Sequence, residues 1–222
     1  MIQIAPSLLS ADFLRIGEAV KLVEDACADL LHVDIMDGHF VPTLTFGPQL
    51  VASLKEKTKL PLDVHLMVET PERFIPLFIE AGADMISIHL EATAHLHRDI
   101  GLIKQAQKKA GLALNPATPI HLMSDILPDL DFVLMMSVDP GKGAQKFIES
   151  SHKKIGRLKT WLKSQNRAIP IEVDGGVNLE NMEQLILEGT EILVAGNTIF
   201  KSQDPRGTIL RMRQIAGACN PS

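Results

Sequence analysis

Within the run LHVDIM, His32 and Asp34 stand two residues apart, so a strand there presents both on one face. The run LDVHLM offers His65 with Asp63 on its own face, and IEVD ends in Asp174 ahead of Gly175 and Gly176. Two imidazoles and two carboxylates suit one borderline divalent cation, such as zinc, ferrous iron, manganese or cobalt. A lone strand-end histidine reads as a hydrogen-bonded core group. Four groups together read differently, because two buried acids without a cation or paired hydrogen bonds are costly to keep charged. His89 ends the next apolar run and faces the same way, without a carboxylate partner two residues away. His39, His95, His97, His121 and His152 fall on loops or helices, where water solvates them.

Three segments can bring these residues together only if the fold gathers strand ends at one place. Eight strand candidates run over 2–6, 30–36, 61–68, 85–90, 111–115, 131–138, 169–174 and 191–196. Their apolar content is nearly continuous, as parallel strands covered by helices require. Helical patterns fill the intervals at 12–26, 47–57, 71–80, 95–110, 121–127, 147–165, 179–188 and 205–217. Pro71 and Pro205 open helices, where a missing backbone donor does no harm. Similar junctions, Ala26–Leu30, Ala81–Asp84 and Glu188–Glu191, each join a helix to an apolar run. Their acids Asp29, Asp84 and Glu191 are separated by 55 and 107 residues, about two and four units of roughly 27. The alternation predicts an α/β fold, a (β/α)8 barrel with eight parallel strands, spanning 1–222 as one domain. A doubly wound sheet is the rival that periodicity alone leaves open. In a barrel the chemistry gathers at the carboxyl ends of the strands, where His32, Asp34, His65 and Asp174 converge.

The same mouth receives two further sets of residues. Met36, Met67 and Met136 end or follow strands beside the polar set; they serve either as ordinary core filling or as a dry, polarisable wall around a reaction centre. Glycines punctuate the loops after strands six, seven and eight, at Gly141-Lys142-Gly143-Ala144, Gly175-Gly176 and Gly196-Asn197. Barrels often hold a phosphate in the loops after strands seven and eight, through backbone donors and a short helix amino terminus.

Composition narrows the classes. The 222 residues are 45% hydrophobic and 22% charged, which excludes disordered and fibrous chains. The net charge is −5, with no basic block, so a sequence-independent grip on nucleic acid is not expected. No apolar run reaches membrane-spanning length, and Pro6 breaks the first apolar stretch, so neither anchor nor signal peptide is expected. Cys27 and Cys219 match no metal or redox spacing, which points to a reducing cytoplasm.

The segments IAPSLLSADF (4–13), HVDIMDGHFVP (32–42), LDVHLMV (62–68), GLALNPATP (111–119), MSVDPGKGAQKF (136–147) and IEVDGGVN (171–178) resemble ribulose-phosphate 3-epimerases over nearly the whole chain. The resemblance implies a metal-dependent epimerase of the pentose phosphate pathway, interconverting D-ribulose 5-phosphate and D-xylulose 5-phosphate through an enediolate. By position it makes His32, Asp34, His65 and Asp174 the metal ligands and Asp34 and Asp174 the acid–base pair; epimerisation needs one carboxylate and one neutral acid, and we assign Asp34 as base and Asp174 as acid toward ribulose phosphate. It places Ser7 and His65 against substrate, and Gly141, Lys142, Gly143, Ala144, Gly175, Gly176, Gly196 and Asn197 in the lid and phosphate site. Met36, Met67 and Met136 become the wall around the enediolate, and a homo-oligomer is implied. The chain departs from the family pattern at Lys142, where an aromatic is usual, and at Ala144, where a glycine is usual. Asp139 and Thr43 stand for asparagines, and Asn197 for a phosphate-site serine. These changes leave open another ketose phosphate such as D-allulose 6-phosphate. Related decarboxylases carry Asp-x-Lys on the third strand, but Asp63-Val64-His65 lacks that lysine. A non-catalytic sugar-phosphate-binding barrel is disfavoured by the retained carboxylates and histidines.

Overall fold

The computed structural model describes residues 1–219. Eight strands form one parallel sheet: β1 (Gln3–Pro6), β2 (Leu31–Met36), β3 (Leu62–Met67), β4 (Met85–His89), β5 (Lys109–Leu114), β6 (Phe132–Met136), β7 (Ile171–Asp174) and β8 (Ile192–Ala195). Each strand pairs with its neighbour in sequence from β2 to β8, and β8 returns to β1. A parallel bridge between Ser7 and His32 brings the end of β1 to β2 and draws the ring together. That order never reverses, so there is no switch point of the doubly wound kind, and the chain is a (β/α)8 barrel.

Strand alternation separates two cores. Outward residues such as Val33, Ile35, Val64, Leu66, Ile86 and Ile88 pack beneath the helices in the main apolar layer. Inward residues Ala5, Met85, Phe132, Ile192 and Val194 fill the amino end of the barrel. The Phe132 ring occupies the space that a side chain on Gly111, its register partner across β5 and β6, would need. Gly111→Ala therefore overpacks the interior at a cost of about 1–3 kcal/mol. At roughly 2–4 °C per kcal/mol for a chain this size, its melting temperature should fall by several degrees. An unchanged melting curve would show that the ring can move aside.

The helices are α1 (Ile16–Asp25), α2 (Pro48–Lys57), α3 (Ile75–Glu80), α4 (Leu96–Gln105), α5 (Ser150–Ser164), α6 (Met182–Glu188), α7 (Asn197–Phe200) and α8 (Pro205–Cys219). No α-helix forms over 121–127. Two 3-10 turns, Ile120–Met123 and Leu127–Asp129, stand there instead. Pro119 and Pro128 bound a stretch too short to nucleate a helix, and Pro128 has no donor to continue one past it. The helix expected over 95–110 also stops early, at Gln105; the chain turns through left-handed Gln107 and enters β5 at Lys109. Among the described residues no helix is long and apolar enough to cross a membrane.

The acidic junctions have a shared purpose. Asp29 and Asp84 accept the backbone N–H of Ile4 and Leu62 at 2.8 and 2.9 Å, at the start of the preceding strand. Asp131 does the same for Ala110 at 2.8 Å. Each is also paired with a cation from a flanking helix: Arg213, Lys55 and Lys104 respectively. Glu191 keeps only the second half of this pattern, through Lys159 at 2.8 Å. Acid-to-donor bonds of this kind fix strand register at the barrel's amino end and leave the opposite rim free for chemistry.

Candidate active site

The inward faces of β2, β3 and β7 carry histidine and acidic side chains, and β4 adds Ser87 and His89 on its own inward face. Register sets His32 beside Asp63 and Asp34 beside His65. One donor atom from each of His32, Asp34, His65 and Asp174 lies within 4.8 Å of the others. Asp34 is the hub. Its Oδ1 lies 3.3 Å from His32 Nε2 and 3.2 Å from His65 Nδ1, while its Oδ2 accepts the Ser7 hydroxyl at 2.6 Å. His32, Asp34 and His65 are buried, and Asp174 is the partly exposed member.

Below this layer lies a second polar one. His32 Nδ1–H donates to Asp63 Oδ2 at 2.6 Å, and Glu172 Oε1 approaches the same nitrogen at 3.3 Å. Asp63 and Glu172 are fully buried. Glu172 is absent from the residues the sequence singles out, although it stands two before Asp174 and so on the same face. That spacing was the available signal.

The charges sort themselves by environment. Burial works against charge on His32, but Asp34 and Asp63 on either side outweigh it and raise its pKa well above the ordinary value. Burial likewise disfavours the Asp34 carboxylate, yet His32 and His65 hold it far below the usual carboxyl range. For Asp174, burial and the nearby negative charge of Asp34 act together and push the carboxyl up to about 7. Burial lowers His65 to about 4, so it is neutral near pH 7. Burial and Asp63 also drive Glu172 well above its ordinary value, which keeps it neutral beneath the cluster. Two carboxyls facing one space with pKa values pushed apart is the pattern of an acid and a base.

That space is a cavity of about 250 Å³ at the carboxyl ends of the strands. Ser7, Asp34 and Asp174 face it from the floor, with Met36, Met67 and Met136 beside them. The loop after β6 supplies Gly141, Lys142, Gly143 and Ala144; the loops after β7 and β8 supply Gly175, Gly176, Gly196 and Asn197. His65 does not reach the wall. It stands beside Asp34, with its Nδ1 3.2 Å from Asp34 Oδ1. His89 is also fully buried, and the carboxylate partner it was expected to lack is present: Glu91 Oε2 lies 3.3 Å from His89 Nδ1. Ser10, Asn178 and Thr198 line the cavity without having been singled out.

The β6 loop is braced from within and from the loop after β2. Gln145 Nε2 donates to the carbonyls of Asp139 and Lys142 at 2.5 and 2.9 Å, and the Thr43 hydroxyl donates to Gly141 O at 2.5 Å. Only the backbone oxygen of Asp139 is used, so aspartate serves there as well as asparagine. Ala144 adopts φ +61°, a left-handed conformation that costs a side-chain-bearing residue about 1 kcal/mol. Gly175 has φ +118°, and a Cβ there would come within 2.6–2.9 Å of Val138, so this turn requires glycine.

Comparison with known proteins follows the same lines. A family model described as the Ribulose-phosphate 3 epimerase family matches residues 3–200. The chain is 49% identical over 214 residues to the ribulose-phosphate 3-epimerase of Bacillus subtilis (strain 168), covering 96% of this chain and 99% of that one. It is 49% identical over 203 residues to the chloroplastic ribulose-5-phosphate-3-epimerase of Arabidopsis thaliana, covering 90% and 72%. Among solved structures, 3-hexulose-6-phosphate synthase from Salmonella typhimurium superposes with a TM-score of 0.73 at 18% identity, over 99% of this chain and 100% of that one. That likeness is one of fold.

Proposed function

The chain belongs to the ribulose-phosphate 3-epimerase family and is an epimerase, and on that premise we propose that Asp34 and Asp174 move the carbon-3 proton between D-ribulose 5-phosphate and D-xylulose 5-phosphate. The observation that carries this reading is the pair of carboxyls, one ionised and one poised to hold a proton, facing a single cavity. Asp34 takes the proton from carbon 3 of ribulose phosphate, leaving an enediolate. Asp174 returns one to the opposite face, and the roles exchange in the reverse direction. The Ser7 hydroxyl on Oδ2 holds the Asp34 carboxylate in one orientation.

The donor set fits a divalent cation. His32 Nε2 is a buried ring nitrogen without a hydrogen-bond partner, and His65 Nδ1 lies 3.2 Å from Asp34 Oδ1, so these residues with Asp174 would hold the ion. Two nitrogens and two carboxylates accept zinc, ferrous iron, manganese or cobalt. When bound, such an ion supplies Lewis-acid polarisation beside the ketone and stabilises the charge that develops there. Asp63 fixes the ring of His32 from behind, as outer partners of metal-binding histidines do. Met36, Met67 and Met136 keep water from the enediolate, which suppresses loss of phosphate.

The loops after β6, β7 and β8 hold the phosphate through backbone donors, with the Asn197 amide in place of a hydroxyl and the Lys142 ammonium adding charge. Turnover in deuterated water should place deuterium at carbon 3 of product. D-ribulose 5-phosphate should have the higher kcat/KM when compared with D-allulose 6-phosphate. Product without label would defeat the mechanism, and a reversed preference would defeat the substrate assignment.

A further inference from the structure

His65 presents its Nδ1 to the cluster and turns its Nε2 away, toward the Nε2 of His89 at 2.9 Å. Two ring nitrogens at that distance share a single proton, and what lies beyond decides which ring owns it. Beyond His89 stands Glu91, whose Oε2 is 3.3 Å from His89 Nδ1. The carboxylate is itself fixed. Its Oε1 accepts the Asn115 backbone N–H at 2.9 Å and the Thr118 hydroxyl, both from the loop after β5. That loop is tied in turn by Lys154 Nζ, which donates to the carbonyls of Asn115 and Pro116 at 2.6 and 3.1 Å.

We propose that Glu91 and His89 are positioning residues for His65, a carboxylate–imidazole–imidazole relay that sets its tautomer so that Nδ1 keeps a lone pair for the cation. A carboxylate opposite His89 Nδ1 requires that nitrogen to carry the proton, which makes Nε2 of the neutral ring an acceptor. His65 must then carry its own proton on Nε2, and its Nδ1 is left bare toward Asp34 and His32 Nε2. The opposite assignment would set a bare Nδ1 of His89 against the Glu91 carboxylate with no cation at that end, whereas a bare His65 Nδ1 beside Asp34 would face the cation of the proposed centre. His89 is fully buried, stacked on His65 with ring centroids 5.0 Å apart and flanked by Phe40 at 4.9 Å. The two ring-binding histidines are thus backed alike, His32 directly by Asp63 and His65 at one remove by Glu91. Neither Glu91 nor His89 lies on the cavity wall, so both act through His65.

This inference rests on the metal centre of the proposed function, and zinc affinity measured by chelator competition separates the two. Three variants of the full chain are compared. In His89→Leu the ring is replaced by a shape without an acceptor, and zinc binding should weaken about 10–100-fold, the range typical of outer partners. In His89→Gln the amide oxygen can accept from His65 and its N–H can reach Glu91, and affinity should stay within about threefold. Glu91→Gln removes the charge that orders the relay, and affinity should fall by more than threefold. Cobalt-loaded protein supplies a spectroscopic check, since a changed ligand tautomer alters its visible absorption in His89→Leu but not in His89→Gln. Equal binding by His89→Leu, or an equal loss in His89→Gln, would overturn the relay while leaving the centre intact. Should His89→Leu fail to fold, Glu91→Gln decides by the same threshold. No zinc binding by the unaltered chain would overturn the centre and the relay together.

Discussion

Asp174→Asn lowers kcat at least 10³-fold while the barrel stays folded, and Asp34→Asn loses at least as much. An amide matches the carboxyl in shape but neither takes up nor delivers the carbon-3 proton, and a positioned acid or base is worth roughly 10²–10⁴-fold. The two variants should nevertheless differ in what survives. With Asp34 intact, Asp174→Asn should still exchange the carbon-3 hydrogen of ribulose phosphate with deuterated solvent, without forming the epimer. Asp34→Asn should lose that exchange and keep only the one that starts from xylulose phosphate. Stability should separate them too. Asp34 holds Ser7, His32 and His65 around itself, so its loss disturbs a buried network. Asp174 sits where burial and the charge of Asp34 oppose its ionisation, so in metal-free protein a neutral amide relieves a cost and should not lower the melting temperature. Substantial turnover by either variant, measured in a coupled assay, would remove that residue from the mechanism.

The residues legible in the sequence were those that break a pattern. Strands of a covered parallel sheet are expected to be apolar, so His32, Asp34, His65 and Asp174 stood out against LHVDIM, LDVHLM and IEVD. Strand positions were legible for the same reason, and all eight appear within a few residues of expectation. What escaped notice depends on contacts across the chain. Glu172 looks like one polar residue in an apolar run until β7 is placed opposite β2 and β3, where it meets Asp63 and His32. Glu91 was open to view two residues after His89, but it follows the fourth strand in a 3-10 turn, where strand periodicity assigns it no face, and that turn swings its carboxylate back onto His89. The missing helix between β5 and β6 is a local matter: two prolines outweighed an apolar pattern. The acids at the helix-to-strand junctions appeared as a repeat, but their reason, accepting an N–H at the start of the strand before, needs the barrel to be visible.

Removing bound metal from the protein should cost activity on the same scale as losing either aspartate. The floor of the cavity holds two carboxyls and two imidazoles whose donor atoms lie within 4.8 Å of one another, with the buried His32 Nε2 lacking a hydrogen-bond partner. Lewis-acid stabilisation is worth several kcal/mol, and each 1.36 kcal/mol is tenfold in rate, so kcat/KM should drop by about 10³-fold after exhaustive chelation. Stoichiometric zinc, ferrous iron, manganese or cobalt should restore it to different degrees, since the donors do not select one ion. The same site predicts a stability effect independent of turnover. A ligand present at 1,000 times its dissociation constant stabilises the folded state by about 4.1 kcal/mol, which for a chain of this size raises the melting temperature by roughly 8–16 °C. His32→Ala should abolish that rise, because it deletes a buried ring nitrogen of the cluster that has no hydrogen-bond partner. If protein shown by elemental analysis to be metal-free turned over at the original rate, the cluster would be a hydrogen-bonded core and the two aspartates would have to work alone.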